Sequence, residues 1–509
     1  EYANQTFVVL PTENIGRLNT LAEKLEAQDI EVYINTSPIQ TKSALKQTGD
    51  SVENFTVPAG SMIIPNLQPE APLIAAILEF DAEIIESVLE EERRQRLKNS
   101  SSIMYDTTAF NLTMMYGLEA VTVQENIQKN LKKWKPIEAS VDVQEDALMW
   151  AVNGIDDRSV AFAARLMELG VEVRIIDKDA LLSDQSLPRG SVVVIDMDNP
   201  DYEDLSSVVS AIASELNLPV ASISSGFGAE ELPDWGGEHF KLLERPQIAL
   251  MGHQDFSSYD VGVSWWSLDH HLGIRHSMVN GSSLNYGDLR RYNTIIMPSG
   301  YLNLSNSEMN SLKEWVRQGG TLIAHNASSR SLSFENGIGS VRQVSSTFDK
   351  SEEYNMDLQR EFGALNVEID MKKTNDNKLD FDVEYPWEGS KNKFNKSQLE
   401  KRDEWQSLFM PSGSFVAGRI DDEHWLTYGS ISTLPVLYAN YPVLMTGNNS
   451  DAPVRIGELV DSDDETYRSI NWSDMPPKTD LNVRMSGLVW PEASQRIANS
   501  AYLTRERIG

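Results

Sequence analysis

The chain has 509 residues, with 44 Lys and Arg against 76 Asp and Glu and a formal net charge of −32. So acidic a surface repels phosphate backbones and anionic lipids, so neither nucleic acid nor a membrane is an expected partner. The composition, 40% hydrophobic and 24% charged, is that of a globular protein of about three domains. The absence of cysteine excludes disulfides, thiolate metal sites and cysteine nucleophiles together. Apolar runs such as residues 72–80 fall well short of the roughly 20 residues of a membrane helix.

Taken in chain order, Phe7-Val8-Val9-Leu10-Pro11 reads as a buried strand. Ile15, Leu18, Leu21, Ala22 and Leu25 then fall at helical spacing, and Ile30, Val32 and Ile34 form a second strand. The order recurs further on: a strand over 148–152, a helix with Ala163 and Leu166, then Val171, Val173 and Ile175. Ala22 corresponds to Ala163, Leu25 to Leu166 and Ile30 to Val171, an offset of 141 residues. Pro58-Ala59-Gly60-Ser61, leading into an apolar strand, is matched by Pro188-Arg189-Gly190-Ser191 at an offset of 130. Proline presets such a turn and glycine supplies its permissive φ. Two related α/β units follow, residues 1–140 and 141–242.

A third unit opens after Arg245-Pro246 with the strand Gln247-Ile248-Ala249-Leu250-Met251. A helix carrying Trp265, Trp266 and Leu268 leads to a buried strand over 292–298. A second helix over 307–318 sets Met309, Leu312, Trp315 and Val316 on one face and ends at Gly319-Gly320, and Thr321-Leu322-Ile323-Ala324 is the next strand. This alternation implies a parallel sheet whose ligands sit at the strand C-terminal ends. Residues 350–410 read as a polar insertion, and 413–420, 424–428 and 434–438 as short strands. The start at Glu1, and the run 503–509 approaching a further strand after a helix at 497–502, read as cut ends.

Four of the seven histidines, His253, His270, His271 and His276, share one stretch with Asp255, Asp260 and Asp269. Imidazoles and carboxylates so crowded can bind metal. No His-Glu-x-x-His, His-x-x-Glu or calcium-loop spacing is present, so a structural or solvent-facing role is expected and no metal ligand is assigned. His253 and Asp255, just past a strand, are nevertheless where a ligand would be met. His325-Asn326-Ala327-Ser328-Ser329 falls where a strand-to-helix elbow presents a nucleophile. Neither a Cys nor a Gly-x-Ser-x-Gly accompanies it, and Ser328 reads as a turn cap. Trp265-Trp266 could stack on a sugar or peptide, with at least one indole expected in the core. Gly226-Phe227-Gly228 lacks the rest of a phosphate loop. Eleven Asn-x-Ser/Thr sequons, among them Asn4, Asn54, Asn111, Asn280 and Asn471, would matter only in a eukaryotic secretory route.

Several stretches resemble a known family. These are residues 55–65, then Gln68-Pro69, the helix Leu73-Ile74-Ala75-Ala76-Ile77-Leu78-Glu79-Phe80, Tyr105-Asp106-Thr107-Thr108-Ala109-Phe110, and Met115-Tyr116-Gly117-Leu118-Glu119-Ala120. Together they look like the region behind the catalytic domain of large bacterial zinc carboxypeptidase-like proteins of the carboxypeptidase A superfamily, with Phe110 where that family has Trp. Residues 292–298, 315–324, 413–429 and Ser486-Gly487-Leu488 resemble a class I glutamine amidotransferase-like domain.

The fold so implied is α/β: two repeated α/β units, then a flavodoxin-like, amidotransferase-like parallel-sheet domain over 243–509, apparently truncated at its C-terminus. In that family zinc is held by a His-x-x-Glu and a distant His, with a Glu as general base, and none of these can be carried over to a position here. The position of the amidotransferase Cys falls near His325. The resemblance therefore implies a non-catalytic, substrate-presenting region of a periplasmic or secreted zinc metallocarboxypeptidase. No cofactor is expected in this chain; zinc belongs to an N-terminal peptidase domain of the same protein, its expected partner alongside a peptide substrate. Two alternatives stand beside this one. One is a residual small-ligand or hydrolase site built from His253, Asp255, Trp266, His325, Asn326 and Ser328. The other is an assembly module using 350–410.

Overall fold

Thr6–Val9 is buried along its whole length, as the apolar run requires of a strand covered on both faces. The computed structural model describes residues 4–229, 231–253, 255–284, 288–334, 337–365, 394–465 and 468–508. After Thr6–Val9, the Asn14 side chain accepts from the Arg17 N–H to cap the helix Ile15–Glu26, which buries Leu18, Leu21, Ala22 and Leu25. The helix returns the chain to Tyr33–Asn35, parallel to the first strand, but Met62–Pro65 runs antiparallel between the two. The sheet order is Ser51–Glu53, Ser43–Lys46, Ala120–Val123, Thr6–Val9, Met62–Pro65, Tyr33–Asn35, Leu131–Lys133. This is a split strand-helix-strand arrangement.

The second sheet has the order Ala221–Ile223, Met149–Val152, Val192–Ile195, Arg174–Ile176, Phe240–Leu242. Helix Arg158–Leu169 joins its first two strands in sequence, and Val192–Ile195 again lies between them, antiparallel to both. The protein is thus of mixed α and β type, but every pairing in these two sheets is antiparallel. A strand-helix-strand pattern does not reveal that a later strand will fill the slot left between. The two Pro-x-Gly-Ser turns form as expected, with Gly60 at φ 82° and Gly190 at φ 87°.

The parallel sheet expected in the third unit is present, in the order His276–Asn280, Ile248–Gly252, Thr294–Met297, Thr321–Ala324. One face packs Ala249, Met251, Ile295 and Met297 on Leu312 and Trp315 of helix Asn306–Arg317. On the other, Ile248 and Leu250 meet Leu268, Ile274 and Ala164, the last belonging to the helix Arg158–Leu169.

The parallel part ends at Ala324, and the rest of the chain builds a separate antiparallel sheet rather than extending it. Its order is Arg342–Gln343, Leu444–Met445, Ala501–Glu506, Ser450–Ile456, Ser412–Ile420, Thr433–Ala439, with Arg484–Ser486 also paired to Ser412–Ile420. Three expectations are corrected here. Within 424–428, Trp425–Thr427 is a 3-10 turn, because Leu426 N–H bonds back to His424 Nδ1. Ala501–Glu506 is itself a strand, after the helix Pro491–Ile497. The stretch 350–410 contains the helices Ser351–Leu365 and Lys396–Ser407, which bury Leu358 and Leu399 in the core of this sheet; its residues 366–393 lie outside the described ones. Phe415 and Ala417 complete the core of the first unit, beside Phe7 and Leu21.

Three of the stretches named for the resemblance, 105–110, 413–429 and 486–488, meet at one joint. Thr108 N–H and Thr107 Oγ1 both donate to Gly413 O, at 2.7 and 2.9 Å, and Leu488 N–H donates to Thr108 Oγ1 at 2.9 Å. A side chain at Gly413 or Gly487 would strike these threonines, which accounts for the glycines.

Candidate functional site

Parallel strands deliver their loops to one rim, and this one gathers His253, Asp255, His325, Asn326 and Ser328. Thr321–Ala324 ends at His325, whose N–H bonds to Met297 O at 2.9 Å. Asn326 then turns the chain into the helix Ala327–Leu332 with φ 44° and ψ −114°, a backbone state that costs a residue with a Cβ on the order of 1–3 kcal/mol. It is also the sharp strand-to-helix turn that exposes a nucleophile in hydrolase elbows. His253, at the end of Ile248–Gly252, has φ 94°. One strand separates it from Asn326, so the two strained positions lie about 10 Å apart at the usual strand spacing.

The rim is zipped together by its own backbone. Ser257 N–H donates to Ser299 O at 2.8 Å and Tyr301 N–H to Asp255 O at 3.1 Å. His253 and Asp255 stay exposed. Above the elbow stands Asp260, in the first turn of helix Ser258–Trp266. Burial of its inner side pushes the His325 imidazole below its ordinary value, with the Asp260 charge opposing. His325 is an exposed residue, so water screens both effects. The antiparallel sheet adds tyrosines. Burial, aided by Asp260, raises the Tyr441 hydroxyl, and burial, aided by Tyr441, pushes Tyr502 up to about 12. Both are neutral hydrogen-bonding groups.

No nucleophile completes the elbow. Ser328 is fully buried and its hydroxyl donates to Pro298 O at 2.5 Å; Ser329 Oγ donates to Asn326 O at 2.6 Å. Both serines are occupied in holding the turn, as the sequence reading of Ser328 expected. The Asn326 amide caps nothing.

Comparison with protein-family models, curated proteins and solved structures gives no match. The site is therefore argued from its own geometry.

The remaining histidines do not join it. Among the described residues, no group of three or more His, Asp or Glu is placed to hold a metal ion. His270 and His271 lie on the π-helical turn Ser267–Leu272. There Trp266 Nε1 donates to His271 Nε2 at 3.0 Å and its ring lies 4.1 Å from His270. Trp266 sits six residues, or roughly 9 Å of helix, beyond Asp260. Trp265 and Trp266 are 42% and 48% exposed, which overturns the expectation of a core indole. Asp260 was singled out in the sequence only as a neighbour of the clustered histidines, and Tyr441 and Tyr502 were missed because they come from separate elements.

Backbone strain at Asn326 gives a test of the elbow. Asn326→Gly is expected to raise stability by about 1 kcal/mol, since glycine adopts this conformation without the Cβ cost. Urea denaturation checks it, and a loss of stability would mean that the amide holds the turn.

Proposed function

We propose that this chain is a non-catalytic accessory region of a zinc carboxypeptidase-like protein, presenting substrate or partner to a peptidase domain. The observation that carries the reading is an elbow with a strained tip and no nucleophile: Asn326 stands at φ 44° and ψ −114°, and both following serines are bonded to carbonyls. Strain of this kind persists where function maintains it, and an amide at the tip can bind but not attack. Reading residues 1–140 and 141–242 as two related α/β units supports the scaffold role. In each, a strand, a helix and a second strand come first in sequence and a later antiparallel strand lies between the two, though the first sheet has seven strands and the second five. The resemblance of the Thr107-Thr108 and Gly413 segments to the peptidase-associated region supports it too, since they form one joint.

A second reading, a small-ligand site at the strand ends, is favoured by the shared rim of His253, Asp255, His325 and Asn326, with the Asp260 charge acting on both His325 and Tyr441. The two are compatible, because presenting a substrate requires holding it. The deciding experiment assays the purified chain for carboxypeptidase, amidase and esterase turnover, with and without a chelator. No turnover above buffer is expected in any arm. Chelator-sensitive peptidase activity would overturn the accessory role, and chelator-independent amidase or esterase activity lost in Asn326→Gly would make the elbow catalytic.

A further inference from the structure

The first sheet ends at Leu131–Lys133, which pairs with Tyr33–Asn35 and carries no strand on its outer side. Thr36 N–H donates to Asn130 O and Trp134 N–H to Val32 O, both at 2.9 Å. Bonded pairs alternate along an antiparallel ladder, so Asn130, Lys132 and Trp134 bond inward. The N–H and C=O of Leu131 and Lys133 therefore point away from the sheet, and among the described residues nothing bonds to these four groups. An open edge of this kind is a template for one more strand.

Charge decides which strand. Lys129, Lys132, Lys133 and Lys135 fall within one short run of a chain whose net charge is −32. All four are exposed, and none forms an ion pair among the described residues. Successive side chains of a strand face opposite sides. Leu131 packs with Tyr33 on one face of the sheet and Trp134 with Ile34 on the other, so Lys133 flanks the first face and Lys132 the second. Edge lysines deter an apolar or basic strand, which would leave their charge unpaired or repelled. A strand with carboxylates on both faces meets the opposite condition, because each lysine then gains a cross-strand partner. We infer that the Leu131–Lys133 edge captures an extended acidic peptide of another protein as an added strand, its backbone bonded to Leu131 and Lys133 and its carboxylates beside the lysines. Screening over about 8 Å at 0.15 M salt lets these lysines outweigh the distant net charge for a short peptide. A long polyanion such as nucleic acid would run past the patch onto acidic surface. The inference is independent of the elbow at Asn326.

The test titrates the whole chain into a fluorescein-labelled peptide of about eight residues, mostly Glu with Val interspersed, and reads anisotropy. Saturable binding is expected, weakening about fivefold or more between roughly 50 and 300 mM salt. The double substitution Lys132→Glu with Lys133→Glu should weaken it about tenfold or more, as reversal of two exposed charges implies, and leave the melting temperature unchanged because both side chains are exposed. Strand addition has its own signature. A peptide of the same charge with Pro at its centre, which lacks an N–H for the ladder, should bind about tenfold more weakly, and hydrogen exchange at the Leu131 and Lys133 amides should slow when the first peptide binds. Absence of saturable binding would overturn the inference and leave the lysines as a guard against pairing. Equal binding of the proline peptide, or binding that charge reversal leaves unchanged, would overturn it too. Tighter binding of a single-stranded oligonucleotide would assign the patch to nucleic acid instead, and dimers dissolved by charge reversal would assign the edge to a second copy; either outcome sinks the acidic peptide.

Discussion

Replacing Arg96 with Ala is expected to lower stability by about 3–5 kcal/mol at pH 7, the range for breaking a buried ion pair from one side. The pair belongs to the helix Glu86–Asn99, where Arg96 and Glu92 are 9% and 0% exposed in their side chains. Arg96 also donates to Leu408 O and Met410 O, at 3.1 and 2.8 Å, which ties the helix to the start of Ser412–Ile420. Burial by itself would raise the Glu92 carboxyl. Bonds from Arg96, the Ile103 N–H and the Ser102 hydroxyl outweigh it and hold the group below the usual carboxylate range. A depressed folded pKa stabilises above the unfolded value, and that contribution disappears as the pH falls through the folded one. In Arg96→Ala the balance reverses, since burial is then opposed by less, so the deficit against wild type should shrink between pH 7 and about pH 4, near the free carboxyl pKa. Urea denaturation across that range measures it. A deficit under ~1 kcal/mol, or one that does not change with pH, would show that the pair carries no buried charge.

The second large effect is expected at Trp150, 1% exposed on the strand Met149–Val152, with its indole N–H donating to Gln144 O at 3.1 Å. Trp150→Ala removes the largest fully buried side chain among the described residues and should cost about 3–5 kcal/mol. Its consequence should also travel. Trp150 packs in one cluster with Phe162 and Leu166 of the helix Arg158–Leu169, and Ala164 on the same helix covers the parallel sheet at Ile248 and Leu250. Hydrogen exchange at the Ile248–Gly252 amides should therefore accelerate in the variant. Stability lost without faster exchange there would mean that the two sheets unfold independently.

The same helix shows what can be read from a sequence. Ala163 and Leu166 announced its buried face by spacing alone, and Pro188 with Gly190 announced the turn, because periodicity and turn chemistry are local. That Ala164, one residue along, would serve a different sheet is not a local property. Strand direction escaped for the same reason: nothing in residues 6–35 records that Met62–Pro65 will be inserted between the first two strands. At the candidate site, His253, Asp255, His325 and Asn326 follow strands of one sheet, as an α/β alternation leads one to expect, while Ser328 lies inside the helix after the elbow and Trp266 at the end of another. Their condition was not legible. Positive φ at His253 and Asn326 leaves no mark in residue type when the residue is not glycine.

The first two sheets touch through the loop that follows the first strand of each. Asn14 Nδ2 donates to Ile155 O at 3.0 Å and Gly16 N–H to Asp156 Oδ2 at 3.1 Å, Arg17 forks onto Asp157, and Asn153 Nδ2 returns a bond to Glu13 at 2.7 Å. Like loop meets like loop, as across a two-fold axis. A contact of that kind is self-terminating: each side consumes the patch that the other would need to bind a further copy in the same way. Head-to-tail stacking would leave such a patch free at each end to recruit another copy, whereas here the series is closed at two.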